Sequence, residues 1–188
     1  MMTVPIEISA RHVHLTADDW RTVFGSRPPT VARSISQPPQ FLAVERVTVT
    51  GPKGTLVNVA VVGPLRSYTQ VELAMTDART LGLTPPLSDS GHLAQAAIVA
   101  IAGPAGTITV PAAILQQRHL HASLTEAQRY GLHDQQLVSV AVDGQRGGVL
   151  NRVLVRVRQE YVWRLHLDTD EGNAFGLQSG VTGRLIIP

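Results

Sequence analysis

Two short segments of the chain share the pattern Arg-His-x-His: residues 11–14 read RHVH and residues 118–121 read RHLH. Together they use four of the seven histidines. Residues i and i+2 of an extended segment project to the same side, so His12 and His14 would point together, as would the second pair. Two imidazoles from one strand are a common start of a zinc site, and a third ligand usually arrives from another segment. The pattern therefore predicts two metal sites of related geometry.

An internal repeat supplies the third ligands. Each copy of the motif follows a predicted strand and precedes a predicted short helix that ends in glycine. Each half then ends in a similar segment, VELAMTDARTLGL (71–83) or LHLDTDEGNAFGL (165–177), in which Glu72 and His166 occupy nearly equivalent positions. Three protein ligands per ion would leave positions open, as catalytic sites do. The two predicted ligand sets are His12, His14 and Glu72, and His119, His121 and His166. A single His-x-His is more often a hydrogen-bonded pair than a ligand pair, and it is the repetition that favours metal.

Several polar residues near these sets are candidates for supporting roles. Arg66 lies just upstream of Glu72, and its forked guanidinium suits a phosphate, although a surface arginine is an equally good interpretation. Ser90, in the segment SDSGH, could approach a bound anion. Arg11 and Arg118 would point away from the histidines, which favours anchoring to carboxylates over contact with substrate.

The segment HLDTDEGNA (166–174) concentrates acidic and amide side chains beside one predicted ligand. A carboxylate that accepts the other ring N–H of a ligating histidine fixes its tautomer. An acidic turn that caps a helix is the alternative interpretation, and both can hold for different members. The candidates are Asp168, Asp170, Glu171 and Asn173.

Composition excludes several classes of function. The chain of 188 residues has no cysteine, so disulfides, thiolate ligands and an acyl-cysteine intermediate are excluded. The net charge of +2 is too small to indicate nucleic acid or a membrane surface. No signal peptide or membrane-spanning run is evident, so we expect a cytoplasmic protein.

The elements that must position these residues are mostly strands. Short segments rich in β-branched residues alternate with Gly-Pro and Asp-Gly turns, which predicts a mainly β chain of small sandwiches or barrels. GPKG (51–54) and GPAG (103–106) predict tight hairpin connections. Short helices are predicted over 16–25 and 123–131, from Ser or Thr at the start and Gly at the end. The segment 26–42, with two proline pairs, predicts a loop.

The order and the sequences of these motifs resemble those of the PduL-type phosphotransacylases (phosphate propanoyltransferases). The segments that carry the resemblance are RHVHL, GPLRSYTQVELAMTDARTLGL, PPLSDSGH, GPAG, RHLHASLTEAQRYGL and HLDTDEGNA, and they extend from about Pro5 to Leu177. The chain departs from the family pattern at Ser88 and His92, in a stretch expected to touch substrate.

The resemblance implies a fold of two β-barrels related by duplication and capped by short helices, with the active site between them. One barrel would combine residues 1–10 with 117–188, and the other would be formed by 11–116, with a proline-rich excursion near 26–44. It also implies two zinc ions, held by the two ligand sets above. Arg66 would bind phosphate and Ser90 would lie near it.

The implied reaction is reversible transfer of a short acyl group, propanoyl or acetyl, between coenzyme A and phosphate. The expected partners are therefore acyl-CoA and phosphate, with no nucleic acid or membrane, and a homo-oligomer is left open. No microcompartment-targeting extension is evident. Two alternatives stay open on the residues alone: a dinuclear metal hydrolase acting on thioesters or phosphoesters, and a non-enzymatic module that binds metal or anions.

Overall fold

A computed structural model describes residues 2–187. The chain divides into two compact units, one formed by residues 2–10 with 117–187 and the other by Arg11–Gln116. We call them the C-terminal barrel and the central barrel. In chain order the elements are β1 (Thr3–Ser9), β2 (His12–His14), α1 (Ala17–Phe24), β3 (Val31–Ser34), β4 (Phe41–Thr50), β5 (Thr55–Gly63), β6 (Gln70–Leu73), α2 (Met75–Leu81), β7 (Leu87–Ser88), β8 (Ala97–Ala102), β9 (Thr107–Gln116), β10 (His119–Ala122), α3 (Leu124–Tyr130), β11 (Leu137–Val142), β12 (Gly148–Val157), β13 (Arg164–Asp168), α4 (Thr169–Phe175) and β14 (Thr182–Ile186).

The C-terminal barrel is a closed ring of six strands in the order β1-β13-β10-β12-β11-β14. Strand β1 closes it, pairing in parallel with β13 and antiparallel with β14. Alternate residues of these strands fill the interior, because successive side chains of a strand point to opposite faces. Ile6, Leu120, Val140 and Leu165 have no exposed surface there.

The central barrel also closes over six strands. Neighbours pair in the order β4-β5-β2-β6-β9-β8, and β8 pairs back to β4. Two short strands extend the sheet, β3 on β4 and β7 on β9. Val13, Val49 and Val71 lie fully buried in its core. The prediction of a mainly β chain with two small barrels and short helices is therefore confirmed.

The local predictions hold at most turns and fail at two helices. The hairpins at 51–54 and 103–106 close through Gly51 N–H to Gly54 O and Gly103 N–H to Gly106 O. Helices α1 and α3 form where they were predicted.

Sequence analysis predicted helices only over 16–25 and 123–131, whereas β6 ends at Leu73 and a further helix, α2, begins at Met75. Likewise α4 follows directly on β13 within the phrase 165–177. Both helices stop at a glycine in the left-handed conformation, Gly82 and Gly176, with φ of 74° and 63°. A helix of seven residues contains too few apolar positions for a helical period to be recognised in the sequence.

The predicted loop at 26–42 is also partly wrong, since it contains β3 and the start of β4. Prolines at 28–29 and 38–39 restrict only the residues around them, and the four residues Val31–Ser34 pair as an edge strand.

None of the helices in the described part of the chain has both the length and the apolar character needed to cross a membrane.

Candidate active site

Strand register brings the predicted ligands together in the same way in both barrels. In the central barrel His12 lies directly opposite Glu72 on the antiparallel pair β2–β6. In the C-terminal barrel His119 lies directly opposite His166 on β10–β13. The residue between the two histidines of each motif is buried in that barrel's core. Each pair of histidines therefore lies on the outer face of its barrel, as the alternation predicts.

In the central barrel the ligand atoms of His12, His14 and Glu72, which we call the central triad, lie within 4.8 Å of one another. The Glu72 carboxylate is 3.7 Å from His12 Nε2 and 3.9 Å from His14 Nε2. The Nδ1 of His14 lies 2.9 Å from the carbonyl oxygen of Val62, a contact that places the ring proton on Nδ1 and leaves Nε2 as the lone-pair donor. Two imidazoles and one carboxylate at this spacing fit one divalent ion with bonds of about 2 Å.

Electrostatics favour the neutral imidazole that a metal requires. Burial lowers the pKa of His14 well below its usual value, and the neighbouring charges of His12 and Arg66 lower it further.

The C-terminal triad consists of His119, His121 and His166. Its ring centroids are 4.7 to 5.2 Å apart. Among residues 2–187, the central triad is the one group of three whose ligand atoms lie close enough together for a single ion, so the rings of the C-terminal triad converge less tightly. Two contacts orient the rings: His119 Nδ1 lies 2.8 Å from the Gln117 carbonyl oxygen, and His166 Nδ1 lies 3.3 Å from Ser9 Oγ.

His121 gives the clearest indication that this triad fits an ion. Both of its ring nitrogens are buried without a hydrogen-bond partner. Buried polar atoms without partners cost free energy, and a bound ion would satisfy one of these nitrogens. Burial also lowers the pKa of His121, helped by the neighbouring histidines His119 and His166, which keeps the ring neutral.

A hydrogen-bonded network connects the central triad to Arg66 and Ser90. The guanidinium of Arg66 donates to Tyr68 Oη (3.2 Å) and to Ser90 Oγ (3.1 Å). The side-chain amide of Gln70 donates to Glu72 Oε1 (2.6 Å) and to Ser90 Oγ (2.8 Å). Sequence reasoning missed Gln70, although its position two residues before Glu72 places it on the same face of β6.

The arginines of the two motifs contact carboxylates, as an anchoring role predicts. Arg11 pairs with Asp77 at 2.9 Å, and Arg118 pairs with Glu171 at 2.6 Å. Each carboxylate is the third residue of the helix that follows the third-ligand strand, and each also accepts a backbone N–H at the start of that helix. In each half, an ion pair therefore connects the His-x-His segment to the helix that follows the third-ligand strand.

The acidic stretch of the C-terminal barrel acts mainly on helix α4. Asp168 is its N-cap and accepts the N–H of Glu171 at 2.8 Å. Burial raises the pKa of both carboxyl groups, and Arg118 opposes that rise at Glu171. Asp170 is half-buried in the first turn of α4, and the exposed Asn173 receives a hydrogen bond on its backbone carbonyl from Arg146. Ser9, outside this stretch, contacts the ring of His166, and sequence analysis did not identify it.

The residues at the two departures from the family pattern contact each other. Ser88 Oγ donates to the carbonyl oxygen of His92 at 2.7 Å, and the His92 side chain is exposed. The contact closes the turn that presents Ser90.

Comparison with known proteins identifies the family of the chain. A family model described as phosphate propanoyltransferase matches residues 5–178. A phosphate propanoyltransferase of Alkaliphilus metalliredigens is 42% identical over 98% of this chain and 88% of its own length. Proteins of the same name from Thermotoga maritima and Salmonella typhimurium are 42% and 40% identical, over 93% and 92% of this chain and 85% and 83% of their own lengths.

The fold and the comparisons together define the class: this is a phosphate acyltransferase. The chain belongs to the phosphate propanoyltransferase family.

Proposed function

We propose that this enzyme transfers a short acyl group, propanoyl or acetyl, reversibly between coenzyme A and inorganic phosphate. We further propose that the reaction requires two bound divalent ions and that these ions are zinc. The observation that carries the proposal is the network joining the central triad to Ser90 and Arg66, since it puts a metal-ligand set and an anion-binding pair side by side. The family name supports the substrates, and the donor sets support the metal.

The ligand sets proposed for the ions differ in charge. His12, His14 and Glu72 would hold one ion with a single negative charge, and three neutral imidazoles, His119, His121 and His166, would hold the other. A divalent ion bound in this way supplies Lewis acidity toward a thioester carbonyl or a phosphate oxygen.

Arg66 and Ser90 would hold the phosphate. The Ser90 oxygen already accepts two hydrogen bonds, from Arg66 and from Gln70, which occupy both of its lone pairs. Its own O–H is therefore available to donate to an incoming anion. The Arg66 fork adds charge-assisted hydrogen bonds of the kind that fix a phosphate in one orientation.

The transfer then needs no acyl-enzyme. A phosphate oxygen forms the new bond to the acyl carbon, the carbon–sulfur bond breaks, and the sulfur of coenzyme A leaves and takes up the proton that the phosphate loses. The chain has no cysteine that could carry the acyl group between the two. Substrate and product both hold an activated acyl group, so the same positioning serves either direction.

The residues of the acidic stretch have a supporting part in this proposal. Glu171 and Asp168 fix the start of α4, directly after the strand that carries His166. Asp170 lies in the same first turn, and Asn173 lies in the turn that follows. They act by holding that strand end in place.

The test is an assay of coenzyme A release from acetyl-, propanoyl- and butanoyl-CoA with and without phosphate, with metal analysis of the same sample. We expect release that depends on phosphate and yields acyl phosphate. Release of free acid at the same rate without phosphate would contradict the proposal and identify a hydrolase.

A further inference from the structure

Gln70 is a buried amide that contacts two parts of the candidate site at once. The residue has no exposed surface. Strand register places it directly opposite His14, within the ligand-bearing part of the central barrel. A buried amide in such a position must satisfy its own hydrogen-bonding groups, and Gln70 does so with three partners.

The three hydrogen bonds fix the orientation of the amide. Its nitrogen donates to the Glu72 carboxylate at 2.6 Å and to Ser90 Oγ at 2.8 Å, while its oxygen accepts the N–H of Gly91 at 2.7 Å. A carboxylate accepts and a backbone N–H donates, so only this orientation satisfies all three contacts. The bond to Glu72 is charge-assisted and short, which makes it the strongest of the set.

The first consequence concerns Glu72. Gln70 donates to Oε1, which also lies 3.9 Å from His14 Nε2, and the other oxygen, Oε2, lies 3.7 Å from His12 Nε2. Holding one oxygen restricts rotation of the carboxylate and presents the second oxygen to the proposed ion. Partners of this kind set the orientation and basicity of a metal ligand.

The second consequence concerns the loop that carries Ser90. Gln70 holds this loop at two successive residues, through the Ser90 hydroxyl and the Gly91 N–H. Gly91 has φ of 93°, a conformation that glycine adopts without strain, so the turn is shaped to present both groups. The Ser90 hydroxyl in turn contacts Arg66, the proposed phosphate ligand.

We propose that Gln70 is a positioning residue that sets the metal-binding carboxylate and the phosphate-binding loop relative to each other through one amide. This inference rests on the proposed function. The C-terminal barrel has an arginine, Arg164, at the equivalent place opposite its second histidine, and that arginine pairs with Glu7 at 3.6 Å. The link is thus a property of the central barrel among the described residues.

The experiment compares Gln70→Met, Ser90→Ala and the double variant. Zinc affinity is measured by chelator competition in a His166→Ala background, so that only the central triad is titrated, and phosphate KM is measured in the otherwise unchanged enzyme. Gln70→Met should weaken zinc binding on the order of 10–100-fold and raise phosphate KM. Ser90→Ala should raise phosphate KM with zinc affinity within about twofold, because Gln70 keeps its bond to Glu72.

The double variant tests the connection. In the Ser90→Ala background, Gln70→Met should raise phosphate KM by less than it does alone, because the contact to Ser90 is already gone and only the contact to Gly91 is left to lose. It should still weaken zinc binding. The matched control is Gln116→Met, which removes another buried glutamine amide from the same barrel and should change neither quantity. The KM for acyl-CoA should stay constant throughout.

Two results would overturn the inference: unchanged zinc affinity and phosphate KM in Gln70→Met, or additive effects on phosphate KM in the double variant. If Gln70→Met fails to fold, Gln70→Glu replaces it, since it keeps the shape and loses both donated hydrogen bonds while ionised, and the same pattern decides. Failure of the proposed function gives a different result, namely no phosphate-dependent coenzyme A release by the unaltered enzyme, and the zinc measurement then still tests Gln70.

Discussion

The two barrels present the same backbone scaffold with different side chains at two of its positions. In both, the first histidine of the motif faces the third ligand across an antiparallel pair. That third ligand is a carboxylate in the central barrel and an imidazole in the C-terminal barrel. The residue opposite the second histidine is Gln70 in one and Arg164 in the other.

If each barrel binds an ion as proposed, the difference in the third ligand would give the two ions unequal charge. A carboxylate removes one unit of the charge of a bound divalent ion, whereas three imidazoles leave the charge intact. The amide of Gln70 connects the central triad to the loop that carries Ser90, and the arginine at the equivalent place in the C-terminal barrel pairs with Glu7. We infer that register fixes where the ligands lie, while these two positions fix what each site does.

The largest expected effect comes from removing the third ligand of either barrel. Glu72→Ala and His166→Ala should each reduce acyl transfer to near the background rate, because the remaining two histidines hold an ion poorly. Steady-state assays with saturating phosphate and acyl-CoA measure the loss, and circular dichroism confirms that each variant folds. If one variant kept a near-normal rate, the two barrels would not be equivalent in function.

A smaller effect is expected at Arg66, which belongs to the hydrogen-bonded network of the central barrel. Arg66→Lys keeps the charge and loses the bidentate fork. We expect phosphate KM to rise on the order of tenfold or more, since about 1.4 kcal/mol corresponds to tenfold, with the KM for acyl-CoA little changed. Equal losses toward both substrates would reject the role of Arg66 in phosphate binding.

The second histidines should give the two apo barrels a shared acid sensitivity. Burial lowers the pKa of His14 and of His121, while the unfolded chain titrates near the ordinary value of 6.5. The folded state therefore binds fewer protons, so stability is complete above pH 6.5 and is lost as pH falls below it, by up to about 1.4 kcal/mol per pH unit for each histidine.

Thermal unfolding of chelator-treated protein between pH 7.5 and 5.5 measures this loss. His14→Gln and His121→Gln should each flatten the dependence by a similar amount. A flat profile in the unaltered protein would show that these rings are protonated in the folded state.

The smallest expected effect concerns the helix starts, where the barrels also differ. Helix α4 begins with an Asp168 side-chain cap, whereas the equivalent Ala74 of α2 has no side-chain cap. Asp168→Ala copies the central barrel, and we expect a loss of about 1 kcal/mol in stability with much less loss of activity than Glu72→Ala shows. Calorimetric unfolding measures the loss of stability, and the acyl-transfer assay measures the loss of activity. A loss of activity as large as that of Glu72→Ala would show that Asp168 takes part in the reaction itself.

Much of the fold and of the ligand arrangement followed from local pattern. Alternating β-branched residues predicted the strands, and the i, i+2 spacing of each motif predicted the shared face of its histidines. Helix α2 was missed because seven residues show no helical period and Ala74 provides no side-chain cap to mark the start. Helix α3, of the same length, was predicted from its Ser123 cap, and α4 was considered only as an acidic turn that caps a helix. Gln70 and Ser9 were missed because their roles depend on cross-strand register and on β1 pairing with β13, which the sequence of neither segment records.

The central claim is that each barrel binds one ion through its own triad, and counting ions tests it most directly. Protein purified without chelator and loaded with zinc would be analysed for metal in the unaltered form, in Glu72→Ala, in His166→Ala and in the double variant. The account predicts two ions, one, one and none per chain. Two ions retained in Glu72→Ala, or none bound by the unaltered protein at full activity, would contradict it.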